Sequence, residues 1–185
     1  MIQIKNAAEL QKMRKACAIS AAALKAGGEA IEPGITTAEI DKIIYDFIVR
    51  HGARPNFLHL YGFPATACIS VNDTVIHGIP NKQQQIRPGD IVSIDTGCKI
   101  DGFNGDNACT YACGKIDLEA QRLLDVTKES LHRGIEMACG GNRVGDIGHA
   151  VQSYVEDNGF SVVRTFVGHG VGEHLHEEPE VPNYG

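Results

Sequence analysis

Between Gly34 and Gly52 the apolar residues recur every three or four positions, with Ile40, Ile43, Ile44, Phe47 and Ile48 forming one stripe. That period matches the turn of an amphipathic α-helix. Thr36 followed by Glu39 makes a capping box at its start, and Gly52 supplies the stop. Helices are also predicted over roughly 7–26 and 117–138. The pattern then repeats. At a spacing of 107 residues, Gly141, Asp146, Ile147, Val151, Tyr154, Val155 and Gly159 fall on Gly34, Glu39, Ile40, Ile44, Phe47, Ile48 and Gly52 without a gap. Each copy follows another helical stretch, which reads as a duplicated helix–helix–strand unit. Two unrelated amphipathic helices would share some of these matches through periodicity alone.

Short β-branched runs predict extended segments at 67–75, 91–99, 107–113 and 160–167, and Gln83–Asp90 reads as a loop whose Pro-Gly turn leads into a strand. The second and third runs flank Lys-Ile-Asp-Gly-Phe, a β-hairpin closed at Asp101-Gly102. With the turn centred there, Asp95 lies opposite Ala108, and Asp106 becomes its diagonal neighbour on the same face. Two carboxylates buried side by side repel and shift upward in pKa. A divalent metal between them removes that penalty. The alternative is one strand aspartate and one turn aspartate, both solvated.

Composition narrows the classes. A chain of 185 residues can bury one sizeable core, and no low-complexity linker divides it. The net charge of −6, without a basic run interleaved with aromatics, argues against nucleic-acid sequence recognition. The longest apolar stretches fall short of a membrane span. Six cysteines show no Cys-x-x-Cys pair, and Met1-Ile-Gln-Ile-Lys does not read as a signal peptide. Reduced thiols in a cytoplasmic protein are therefore expected.

Three histidines stand beside glycine or close to proline: Val-Ile-His77-Gly-Ile-Pro, Gly-His169-Gly-Val-Gly and His176-Glu-Glu-Pro. Each alone is more often structural. Together with two strand carboxylates they form a constellation that suits Zn, Mn, Fe or Co, and the lack of Cys among them argues against a closed structural zinc site.

These motifs, with Ser-Ile-Asp95-Thr-Gly and Gly-Asp106, occur in an order and spacing that resemble the type I methionine aminopeptidases, from about residue 3 to the last. The resemblance implies an α/β (α+β) pita-bread fold with a pseudo-twofold internal repeat and an antiparallel sheet covered by helices. It would be one domain, its first repeat about 1–113 and its second about 117–185. It implies removal of the initiator methionine from nascent polypeptides by a metal-bridged hydroxide, with two divalent ions (Co, Mn, Fe, Zn or Ni). By that resemblance Asp95 chelates one metal, Asp106 bridges both and His169 binds the other. His77 and His176 contact the substrate's peptide group and stabilise the tetrahedral intermediate. Phe57, Leu60, Phe63, Cys68 and Leu175 fall where the family lines its methionine pocket, although each is also an ordinary core residue type.

The implied partners are the N-terminal methionine of nascent peptides and the ribosome, with no membrane. The family places two further glutamate ligands in a C-terminal part to which nothing here corresponds; Glu177 and Glu178 belong to the His176 motif. The chain is thus expected to be incomplete at its C-terminus. The competing expectation is a catalytically incomplete pita-bread fragment or binding module. A mononuclear site of two carboxylates and one histidine fits less well, because no basic motif for an oxoacid co-substrate is present. Prolidases share the fold and metal scheme, but the His-Gly-Ile-Pro motif and short N-terminus point to methionine aminopeptidase.

Overall fold

The computed structural model describes residues 2–185 and resolves two compact units, each with its own secondary structure. The first comprises Ile4–Ile116 together with Val171–Leu175. It opens with α1 (Ala7–Glu29), started by a capping box in which Ala8 and Glu9 amides donate to Asn6 Oδ1 and the Asn6 amide donates to Glu9. α2 (Thr37–Arg50) starts at the predicted cap, with the Glu39 amide donating to Thr36 Oγ1 and the Thr36 amide to Glu39. Its stripe of Ile40, Ile44 and Ile48 is fully buried, and Gly52 follows it in the left-handed region at φ +72°.

Four strands form one antiparallel sheet around β3 (Ile91–Ile100): β1 (Arg54–Pro55), β2 (Ala67–Val71), β3 and β4 (Phe103–Ala112). β4 pairs along the whole of β3, while β2 and β1 pair with its two ends. Ile69, Val92, Ile94 and Cys98 meet Ala23, Ile40, Ile44 and Ile48 in the core. Two glycines let α1 approach β4. A Cβ on Gly105 would stand 2.6 Å from the backbone of Ala16, and one on Gly28 2.2 Å from the Tyr111 ring. Tyr111 then donates its hydroxyl to Leu24 O, and Ser20 Oγ donates to Thr96 O.

The second unit comprises residues 2–3, Asp117–Gly170 and His176–Gly185. α3 (Leu118–Met137) is capped by Asp117, whose Oδ1 accepts from the Ala120 amide. α4 (Val144–Asp157) begins where the Arg143 amide donates to Asp146. The strand predicted over 160–167 does not form. A strand needs a neighbour for its ladder, and among the described residues none runs beside this segment. Instead the carbonyls of Val163 and Phe166 accept from the Asn183 side-chain amide. The unit's two strands come later, as the antiparallel pair β5 (Gly168–Gly170) and β6 (Glu177–Val181). No helix among the described residues is long and apolar enough to cross a membrane.

Candidate metal centre

The hairpin closes as its turn residues predict. Asp101 and Gly102 both take positive φ, at 52° and 88°, the backbone of a type I′ turn, and Ile100 pairs with Phe103. Register then follows one residue at a time to Asp95 opposite Ala108 and Asp106 opposite Gly97. Asp95 and Asp106 are therefore diagonal neighbours on one face, each facing a residue with little or no side chain. Both are half-buried.

Their proximity shows in their chemistry. Burial, then the charge of Asp106 and a hydrogen bond with it, push the Asp95 carboxyl up to about 7. In the absence of a cation the pair holds a proton between two acids that would otherwise both ionise. Cys68, the cross-strand partner of Asp95, is pushed up to about 12 by burial and then by Asp95, Asp106 and Asp41. It stays a neutral, apolar thiol. Two oxygen-rich acids forced together on a strand face, with a proton standing in for positive charge, are the donor set a divalent ion fits.

His77 lies in the same unit, exposed and in the left-handed region at φ +58°. Its neighbour Gly78 explains how this loop sits. The Gly78 amide donates to Ser70 Oγ, its carbonyl accepts from the Ile69 amide, and a Cβ there would stand 2.2 Å from Ile69 O. Of the predicted pocket residues, Phe57 and Cys68 are buried, while Leu60, Phe63 and Leu175 are half-buried; all belong to this unit.

His169 and His176 belong to the second unit, where their rings meet edge to face with centroids 4.4 Å apart. The flanking glycines serve β6: a Cβ on Gly170 would stand 2.6 Å from Glu178 O, and one on Gly168 3.2 Å from Val181 O. His169 Nδ1 donates to Gly170 O at 2.8 Å, so Nε2 carries the lone pair suited to a metal. Among the described residues no group of three or more His, Cys, Asp or Glu side chains stands at metal-holding distances. Asp95 is hydrogen-bonded to Asp106, and the His169 ring contacts that of His176.

Two features escaped the sequence reading. Asp41 Oδ1 on α2 accepts from the Thr66 and Ala67 amides, both at 2.8 Å, and so ties α2 to the start of β2 beside Cys68. Its only sequence signal is an acid adjoining the apolar stripe. Asn104, just past the hairpin turn, is 2% exposed and donates from Nδ2 to Gly172 O and Glu173 O. Nothing in its sequence context announces that partner.

The model for metallopeptidase family M24 matches residues 11–185. The chain belongs to that family. Within M24 it is similar to the methionine aminopeptidase of Clostridium perfringens, 52% identical over 185 residues, which are all of this chain and 74% of the relative. Methionine aminopeptidase 1 of Bacillus subtilis is 46% identical over the same shares. The crystal structure of the Thermotoga maritima methionine aminopeptidase matches with a TM-score of 0.98 at 41% identity, again over 100% of this chain and 74% of that one. This M24 member thus has the mixed α/β fold of the methionine aminopeptidases and spans about three quarters of their length. Family membership implies metal ions.

Proposed function

We propose that this methionine aminopeptidase releases N-terminal methionine from peptides through a dinuclear centre. The observation that carries this reading is the Asp95–Asp106 pair, two half-buried carboxyls hydrogen-bonded diagonally across one ladder, where burial and the neighbouring charge push Asp95 up. Asp106 would bridge two divalent ions, Asp95 would chelate one and the Nε2 of His169 would bind the other. Co, Mn, Fe, Zn and Ni all suit this mixed oxygen and nitrogen set. When bound, the metals supply an acidified water at neutral pH.

The chain's own residues do the rest. His77 and His176 donate hydrogen bonds where negative charge develops on the scissile peptide, the oxyanion role. Phe57, Leu60, Phe63, Cys68 and Leu175 bind the methionine side chain. A neutral thiol among apolar groups suits an unbranched thioether through dispersion contacts. Nascent polypeptides, met at the ribosome, are the proposed natural substrates, and the cytoplasm the proposed compartment.

The pita-bread architecture with an internal repeat is part of the same proposal. α2 and α4 are both 14 residues long, offset by the 107 residues of the sequence repeat. Gly34 and Gly141 take φ +97° and +99°, and Gly52 and Gly159 take +72° and +78°. Gly27 abuts Ile44 as Gly134 abuts Val151, each glycine leaving room for a branched side chain of the next helix.

Incubation of the protein with a Met-Ala-Ser peptide and Co(II) or Mn(II), followed by chromatography for free methionine, tests the reading. Metal-dependent release that is lost in Asp106→Asn supports it. Calorimetric metal and peptide binding without release would favour the binding-module alternative.

A further inference from the structure

Residues 56–66 run between β1 and β2, which both pair with β3, and they carry Phe57, Leu60 and Phe63 of the proposed pocket. The backbone of this loop is strained. His59 and Tyr61, neither of them glycine, take positive φ of 70° and 49°. Such residues persist only where their surroundings over-determine them. The His59 amide donates to Phe63 O at 2.8 Å and the Leu60 amide to Phe57 O at 2.9 Å, which closes the turn on itself. Its place on the sheet is set at the two ends. At the entrance the Asn56 amide donates to Gly97 O on β3 at 2.9 Å. At the exit Ala65, Thr66 and Ala67 are buried, and the Thr66 and Ala67 amides both donate to Asp41 Oδ1 at 2.8 Å. Buried amides need acceptors, and a carboxylate makes the stronger kind of bond. Asp41 is itself firmly seated, because it follows Ile40 on a helix whose Ile40, Ile44 and Ile48 are fully buried. Cys68, a further pocket residue, comes directly after Ala67.

We propose that Asp41 is a positioning residue for substrate selection: it locks the exit of this loop to α2 and so fixes the shape of the methionine pocket. The role rests on the pocket reading given above. Asp41 touches no substrate in this scheme. It acts through Phe57, Leu60, Phe63 and Cys68. A binding site must be held to within about 0.5 Å of its productive geometry, which a strained loop with a free exit does not achieve. One methylene in an apolar pocket is worth about 10–200-fold in discrimination. A slackened loop would admit the branched side chain of leucine beside the unbranched one of methionine.

Two measurements on the whole chain test this. The first, hydrogen–deuterium exchange of the metal-free protein, does not depend on the functional reading. Asp41→Ala should raise exchange over 57–67 by about tenfold, the scale of one net hydrogen bond, with the ladder of 91–112 unchanged. Asp41→Asn keeps an oxygen able to accept from both amides and should stay within about threefold of the native protein. Unchanged protection in Asp41→Ala, or equal loosening in both variants, overturns the inference. The second is the ratio of kcat/KM for Met-Ala-Ser over Leu-Ala-Ser with Mn(II). Asp41→Ala should lower that ratio about tenfold and raise KM for Met-Ala-Ser at nearly unchanged kcat, and Asp41→Asn should restore both. A merely structural role would shrink the active fraction, lowering kcat while KM and the ratio stay as they were; that result also overturns the inference. If the native chain cleaves neither peptide, the functional reading fails on its own account. Calorimetric binding of the same two peptides then decides the pocket role, with the same loss of preference expected. Asp41→Ser, whose hydroxyl is too short to reach both amides, serves if Asp41→Ala does not fold.

Discussion

Asp95 and Asp106 stand diagonally across one hairpin ladder, hydrogen-bonded to each other, with Ala108 and Gly97 as their small cross-strand partners. Burial amplifies the repulsion between the two carboxyls. Asp106→Asn should therefore abolish divalent metal binding more completely than Asp95→Asn. A bridging carboxylate serves both ions, and an amide neutralises neither. Calorimetric titration with Mn(II) or Co(II) compares the two; variants indistinguishable from the native protein would remove the hairpin from the metal centre.

The same pair makes stability depend on pH in a defined direction. Asp95 titrates near 7 in the folded chain, against about 3.9 for an unfolded aspartate. The folded state binds the extra proton between those values, so the contribution is present at low pH and is lost as pH rises through about 7. Burial raises Asp41 in the same direction. The metal-free protein should lose at least about 2 °C of Tm between pH 5 and pH 8 relative to Asp95→Asn. Saturating Mn(II) at pH 8 should reverse the loss. Parallel Tm curves for the two proteins would show that Asp95 carries no such proton.

His77→Ala and His176→Ala should leave metal content intact while slowing methionine release by about 10²–10³-fold, the cost of one donor to a developing oxyanion. Metal analysis after dialysis, run beside the rate measurement, separates the roles. A variant that loses metal identifies that histidine as a ligand.

Gly105→Ala tests the seat of α1. Its new Cβ would lie 2.6 Å from Ala16 backbone, where no flexible side chain can yield. Helix or strand must shift, and overpacking of this kind costs about 1–3 kcal/mol. Thermal unfolding should show a clear loss of stability, and because Gly105 adjoins Asp106, metal affinity should fall as well. A variant as stable as the native protein would mean that the helix and hairpin slide apart freely.

Local chemistry by itself determined most of the helices and the hairpin. Thr36 with Glu39 and the stripe from Ile40 to Ile48 define α2 because capping and a 3.6-residue period are satisfied by neighbours in sequence. Asp101-Gly102 likewise sets the register of β3 on β4, and with it the meeting of Asp95 and Asp106, because a two-residue turn leaves one pairing that keeps every apolar side chain on its face. The proposed metal roles of Asp106 and His169, and the proposed donor roles of His77 and His176, rest on a resemblance of motifs rather than on any period. Only the tertiary structure decided what depends on partners distant in sequence. Phe160–Val167 has strand composition but no neighbouring strand among the described residues, so its carbonyls turn to Asn183. Asp41 finds the amides of Thr66 and Ala67, and Asn104 finds the carbonyls of Gly172 and Glu173, 68 and 69 positions away. A buried polar side chain must be satisfied, but composition does not say by whom; that is settled when the chain folds and closes those loops.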